Sequence, residues 1–486
     1  MLWFRAALRK VLTFFEGRRG RRARVPAGPI QSEAMQIEPG AARSTHPSRR
    51  PPIRYLLVSW IMVLSAVAFL DRTNISVAGL QIGHDFQIDN THLGWVFSAF
   101  LVGYAAFQVP AGVLARRFGP RRVLALGLVW WGIFTALTAL APPHPAGALL
   151  GLILIRVALG AGEAVMYPCA NQFVERWFPI PERGKANGII FGGVGLGSAI
   201  APPLLTAIIL RHGWHASFWF CAVLGVLAGG VWYLATRNTP ESHPWVGAAE
   251  LEAIAAGRGD SRSTVEIGAA GGVALEVPTA ARAAAVPWRK IFTNRHILAV
   301  TASYFTYGYV SWIFFSWFYI YLTQVRGLSL RSSAVLSMFP FIAMSLGSLL
   351  GGVASDWLAR HVSQRAGRCF LPAFALFLTA LLLAVGSRVD QALSASLVLA
   401  CGAGALYLSQ SSFWSVTADF AGTFAGVVSG AMNMGCQIGG AVTATLTPLI
   451  AAHFGWQASF STATALAVLG AAAWLLVDPH ARLAQS

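Results

Sequence analysis

Twelve runs of mainly apolar residues, most of them 20 or longer, dominate the chain: 55–80, 92–114, 122–141, 149–174, 186–210, 215–236, 297–322, 332–354, 369–387, 391–416, 424–450 and 457–477. A helix rising 1.5 Å per residue needs about 20 such residues to cross a hydrocarbon core roughly 30 Å thick. Backbone polar groups find no water there, so a spanning segment must satisfy its own hydrogen bonds. The expected fold is therefore all-α and membrane-embedded, with twelve transmembrane helices in two six-helix bundles. Composition agrees: 56% of residues are hydrophobic and 11% are charged, against roughly 25% charged in soluble domains.

A gap at 237–296, holding Pro240, Pro244, Gly257 and Gly259, separates the sixth run from the seventh. The expected organisation is a basic tail (1–54, disordered), a first bundle (55–236), a cytoplasmic linker (237–296), a second bundle (297–477) and a short tail (478–486). One short amphipathic helix is expected in the linker, around "ELEAIAA". Arg and Lys fix the orientation, because they accumulate in cytoplasmic loops. Assigning loops to alternate sides places 30 of the 36 on the side of both termini and four on the other. Both termini are thus expected in the cytoplasm. The bias of 33 Arg to 3 Lys suits a GC-rich bacterial genome and hence an inner (plasma) membrane.

The net charge of +17 is topogenic rather than a nucleic-acid stripe. Five widely spaced cysteines offer neither a disulfide framework nor metal spacing. No HExxH, Walker loop or GxSxG is present, so an enzyme, a cofactor and a metal site are not expected. An internal repeat supports the two-bundle layout. "HGWHASF" (His212 to Phe218) enters the sixth span and "FGWQASF" (Phe454 to Phe460) enters the twelfth. Parallel repeats of this kind mark transporters whose substrate site lies between the halves near the midplane.

Two residues, Arg72 and Arg156, complete the count of 36 Lys and Arg, and both lie inside spans. Asp71 precedes Arg72 in "AFLDRTNI", and Glu163 follows Arg156 two turns later in "RVALGAGE". Adjacent residues on a helix point about 100° apart, so Asp71 and Arg72 need partners elsewhere. Two readings compete. In the first, the four charges form two buried salt bridges that hold the first and fourth spans together, but such pairs stabilise poorly after desolvation. Alternatively the acids exchange protons, and each protonation leaves an arginine short of a partner that a substrate carboxylate can fill.

"LDRTNISVA" (Leu70 to Ala78), "GWVFSAFLVGYAAFQVPAG" (Gly94 to Gly112), "RVALGAGEAVMYP", "WFPIPERGKANG" (Trp177 to Gly188), "WFYIYLTQVRGLS" and "GVVSGAMNMGCQIGG" resemble the anion:cation symporter family of the major facilitator superfamily. The resemblance covers about residues 55–477. It implies proton coupling at Asp71 and Glu163, substrate carboxylate contact at Arg72, and tuning of the acids by Arg156. Tyr104, Asn433, Ser411 and Trp414 match its further substrate-binding positions. Two departures stand out. "GVLARRFGPRR" puts Arg116, followed by Arg117, where the superfamily's inner gate has an Asp, whereas "GGVASDWLAR" keeps Asp356 in the second half. Val194 stands where sugar-acid carriers have a Gln for substrate hydroxyls.

The aromatics of "YFTYGYVSWIFFSWFYIYL" are expected to face lipid for the most part, with Tyr309 and Trp312 as candidate substrate contacts. Gln437 shares a helical face with Asn433. Glycines 188, 192, 193 and 197, and 426, 430, 435 and 439, have the spacing of close helix packing. The expected function is import of a small organic anion with protons by alternating access, as a monomer in the bilayer. A sugar acid (hexonate, hexuronate or glucarate) is the first substrate class, and a phthalate-like aromatic or a dicarboxylic acid the second. An anion exchanger or facilitator remains an alternative. A non-transporting sensor ranks last, because neither cytoplasmic segment reads as a signalling domain.

Overall fold

The computed structural model describes residues 52–141, 145–179, 182–256, 288–421, 425–479 and 481. Twelve of its helices are long and apolar enough to cross a membrane. In the first half these are α1 (Ile53–Phe86), α2 (Asn90–Phe118), α3 (Pro120–Ala139), α4 (Gly147–Trp177), α5 (Lys185–His212) and α6 (Trp214–Ala235). The second half contributes α7 (Arg295–Ser316), α8 (Leu330–His361), α9 (Ala366–Gly386), α10 (Ala392–Thr417), α11 (Val428–Phe454) and α12 (Trp456–Leu476). Each answers to one expected run. Helix α1 outlasts its apolar run by six residues, until Gln87 turns left-handed at φ 55° and donates its side-chain amide to His84 O. The expected linker helix is present as Ala248–Ala256. Expectations for residues 1–51, 257–287 and 482–486 lie outside the described residues.

The sequence repeat has a structural basis. Gly213 (φ 79°) and Gly455 (φ 81°) each end one span and start the next. Positive φ is strained for residues with a Cβ, which accounts for glycine at both turns. Trp214 and Trp456 then open α6 and α12.

Small residues join the helices in matching ways in the two halves. A Cβ at Gly103 would fall on Val157 O and one at Gly160 on Phe100 O, joining α2 to α4. In the second half, Gly347 against Gly404 O and Gly351 against Leu408 O join α8 to α10. Gly193 and Gly197 meet the carbonyls of Met62 and Ala66 on α1, while Gly439 meets Phe305 O on α7. Such approaches let backbones pack where lipid gives helices no hydrophobic reason to associate. The expected glycine positions divide accordingly, since Gly188, Gly192 and Gly430 have open space around a Cβ.

The described hydrogen bonds between halves gather toward the end opposite the termini. Ser76 Oγ donates to Ser316 O at 2.7 Å, Asn90 Nδ2 to Gln324 Oε1 at 2.9 Å, and Thr206 and Tyr319 share a bond of 3.2 Å. Ser98 Oγ donates to Ala441 O at 2.7 Å, one helix turn from where Gly94 abuts Ala444 O. The pair nearest the termini end is Asn433 Nδ2 to Gln108 Oε1, 3.0 Å.

At the termini end, the linker helix closes the start of α1. Glu250 accepts from the backbone N–H of Ile53 and of Arg54, both at 3.0 Å, and lies 3.6 Å from the Arg54 guanidinium. Arg54 also bonds Glu182 through Nε (3.1 Å) and Nη2 (3.3 Å), and Tyr55 OH donates to the same carboxylate. A carboxylate at a helix N-terminus satisfies orphan N–H groups and opposes the helix dipole. Glu250→Ala is expected to lower stability by about 1–2 kcal/mol. A reduced thermal midpoint in detergent checks this.

Candidate functional site

The four intramembrane charges lie on α1 (Asp71, Arg72) and α4 (Arg156, Glu163), joined by the Arg72–Glu163 contact. All four are buried. Arg72 Nε and Glu163 Oε1 form a direct ion pair. Three rings surround the Arg72 guanidinium, with centroids 4.5 Å (Phe69), 5.4 Å (Phe100) and 4.6 Å (Tyr104) away. A cation over aromatic faces, shielded from water, is held by the ring quadrupoles as well as by its counter-ion. Glu163 is the last residue of a helical segment; Ala164 and Val165 form a turn before helix resumes at Met166. Pro168 has no N–H to offer the Ala164 carbonyl, which is a local cause for this break.

Asp71 does not pair with an arginine. Its Oδ2 accepts from Trp131 Nε1 at 2.8 Å and Thr135 Oγ1 at 2.9 Å, both on α3. Arg156 has no carboxylate within 4 Å among the described residues, and its Nε is buried without a hydrogen-bond partner. Its guanidinium sits 4.8 Å from the Phe100 centroid. Of the two expected salt bridges, therefore, one is formed. Asp71 Oδ1, Arg72 Nη2 and Glu163 Oε2 are likewise buried and unpartnered. Unsatisfied buried polar groups cost about 1–3 kcal/mol each, more when charged, so this cluster is arranged for something other than stability.

The second half faces these charges with aromatic and neutral polar groups. Tyr304, Tyr307, Tyr309, Trp312, Phe314, Phe315, Trp317, Phe318, Tyr319 and Tyr321 are all buried. This corrects the expectation that most of them face lipid. Most residues of helix α7 are buried, because it lies between α1, α11 and α12, and its aromatics are core. Tyr304 stacks on Tyr307 at 4.9 Å and packs on Phe413 at 4.6 Å. Trp312 lies against Gly440 of α11. Tyr307 OH, Tyr309 OH, Ser411 Oγ and Trp414 Nε1 are buried without partners. Ser411 and Trp414 follow a break at Ser409 in α10, the counterpart of the break in α4. Trp414 reaches across to Phe191 of the first half, 6.4 Å away.

Asn433 bonds Gln108 of α2. Gln437 instead lines a groove of about 440 Å³ between α2 and α11, with Ser98, Leu101 and Val102. Val194 lines a cavity of about 30 Å³ with Phe191, Ser198, Phe315, Tyr407 and Gln410, room for roughly one water. At the termini end Asp356 pairs with Arg368 (3.0 Å) and Arg360 (3.9 Å). Arg116 and Arg117 are exposed. Among the described residues neither has a carboxylate within 4 Å, so the two halves differ at this end.

Sequence reasoning missed Trp131, Thr135 and Gln108. The first two lie four apart on one face of an apolar span, and a hydroxyl and an indole N–H aligned this way are a usable signal for a buried acceptor.

Residues 61–444 match the model of the Major Facilitator Superfamily. The chain is similar to a probable sulfoacetate transporter of Cupriavidus necator, with 32% identity over 441 residues, 89% of this chain and 95% of that protein. A probable L-galactonate transporter of Escherichia coli is 30% identical over 338 residues, 68% of either chain. A bacterial homologue of the human lysosomal transporter Spinster, solved inward-facing and occupied, superposes with a TM-score of 0.68 at 17% identity, covering 88% of this chain and 97% of that one. That last likeness speaks for the fold alone. The buried charges, the paired six-helix halves and these relatives together make the chain a multi-pass transporter of organic anions, not an enzyme, and a member of the Major Facilitator Superfamily.

Proposed function

We propose that the protein imports a small organic anion together with protons, the site opening alternately to the two sides of an inner membrane with both termini in the cytoplasm. The observation that carries this reading is the buried Arg72–Glu163 ion pair, one residue from a carboxyl held by neutral donors. A proton on Glu163 removes the charge that Arg72 is paired with, and a substrate carboxylate then takes its place. Release of the proton restores the pair and expels the anion. Asp71 is the second proton carrier, and Tyr104, Ser411, Trp414 and Asn433 complete the substrate contacts, with Tyr309, Trp312 and Gln437 as further candidates. Arg116, Arg117 and Asp356 belong to the gate at the termini end. Two protons with a monoanion carry net charge +1 inward, so an inside-negative potential contributes about 2.3 kcal/mol per 100 mV.

Sugar acids are the first substrate class, in keeping with the galactonate relative. A compact acid without hydroxyls, such as a sulfonate, is the second reading, and one feature favours it. Ser198 and Ser345, beside Val194, donate their hydroxyls to their own helices at Val194 O and Phe341 O, both 2.8 Å. Uptake of labelled D-glucarate, L-galactonate and sulfoacetate into proteoliposomes, under an inward proton gradient, tests both. Accumulation is expected above the outside concentration, collapsing with a protonophore. Uptake indifferent to the gradient removes the proton coupling and leaves an exchanger or facilitator.

A further inference from the structure

The position of Asp71 has a consequence for Arg156. Around the Asp71 carboxyl stand Trp131 and Thr135 from α3, Arg156 and Glu163 from α4, its neighbour Arg72, and Cys221 from α6. Arg156 lies in the electrostatic surroundings of Asp71, yet the two do not come within 4 Å. Opposite buried charges attract each other more strongly, and over a longer range, than either attracts a neutral dipole. The carboxyl is held instead by two donors on one face of α3, both aimed at the same oxygen, Oδ2. Trp131 and Thr135 are themselves almost fully buried, at 1% and 0% exposure, so the packing of α3 fixes where they point. Meanwhile Arg156 Nε is left without a partner.

Building on the organic-anion reading above, we propose that Trp131 and Thr135 are positioning residues which keep the Asp71 carboxylate off Arg156 and so reserve that guanidinium for the transported anion. Arg72, already paired with Glu163, exchanges one carboxylate for another only when Glu163 is protonated. Arg156 requires no such exchange. It therefore offers the first hold on an entering anion, with Asp71 as an internal competitor that α3 restrains.

Reversing this restraint makes the test. The probe is sulfoacetate or D-glucarate, whichever the unmodified protein takes up, measured by counterflow, which needs no proton gradient. Thr135→Val combined with Trp131→Phe is expected to raise the apparent KM about tenfold, as the freed carboxylate closes on Arg156. Adding Asp71→Asn to that pair is expected to bring the KM back to within about twofold, since the competitor has gone. Thr135→Ser, which keeps the hydroxyl, is expected to behave like the parent. An unchanged KM in the double variant overturns the proposal. So does a raised KM that Asp71→Asn does not restore, because that marks Trp131 and Thr135 as packing residues only. Both outcomes leave the transport reading intact. Uptake of neither these two nor L-galactonate overturns that reading, and this proposal with it.

Discussion

Glu163→Gln is expected to abolish accumulation driven by a proton gradient while exchange of substrate across the membrane survives. Glutamine keeps the volume of glutamate and an acceptor for Arg72 Nε, but it neither carries the charge nor titrates. Arg72 is then permanently short of a counter-ion, as it is in the wild type only when Glu163 is protonated. Gradient-driven accumulation should fall at least about tenfold, and counterflow should stay within about threefold of the parent. Those two readings separate coupling from binding. Accumulation as strong as the parent's would falsify the coupling role of Glu163. Glu163→Ala is a different experiment. It strands a buried guanidinium with no acceptor, which costs about 3–5 kcal/mol, and the expected result is loss of folded protein rather than uncoupled transport.

Gly160→Val is expected to be as damaging as any change in the first half, although it alters no charge. A Cβ at this position would fall on the carbonyl of Phe100 and close to the amide of Tyr104. Those are backbone atoms, which cannot swing aside as the end of a flexible side chain can. Helices α2 and α4 must separate, and overpacking of this kind costs about 1–3 kcal/mol or more. The shift also moves Phe100 and Tyr104, two of the three rings around Arg72. Protein that survives purification should therefore bind substrate poorly. Gly192→Ala is the control, since nothing lies within 4 Å of a Cβ there. Alanine at that site should leave the thermal midpoint unchanged or raise it, by up to about 1 kcal/mol of helix propensity.

Much of this fold is legible in the sequence because a membrane simplifies the problem. Length and apolarity alone locate all twelve spans, and the paired Gly-Trp turns at Gly213 and Gly455 mark equivalent points in the halves. The linker helix is readable from "ELEAIAA", but its attachment is not, since nothing near Glu250 announces a bond to residues about 200 positions earlier. The four buried charges are equally visible, because any ionisable residue inside a span is exceptional. Their pairing is not. Two acids and two bases allow several arrangements, and the choice falls to groups that carry no charge, Trp131 and Thr135. Helix α7 misleads for a related reason. Aromatic side chains suit both a lipid interface and a helix core, so composition cannot separate the two, and only the surrounding helices do.

The contact between Glu250 and the start of α1 sets an order of events during biosynthesis. The amides of Ile53 and Arg54 receive their carboxylate from a residue made 197 and 196 positions later. At about 5–20 residues per second, that interval lasts roughly 10–40 s. By then all six helices of the first half have been synthesised, since α6 ends at Ala235. The first turn of α1 is thus finished last, by the segment that leads into α7, and a nascent chain cut short before Glu250 holds six helices whose first is still uncapped.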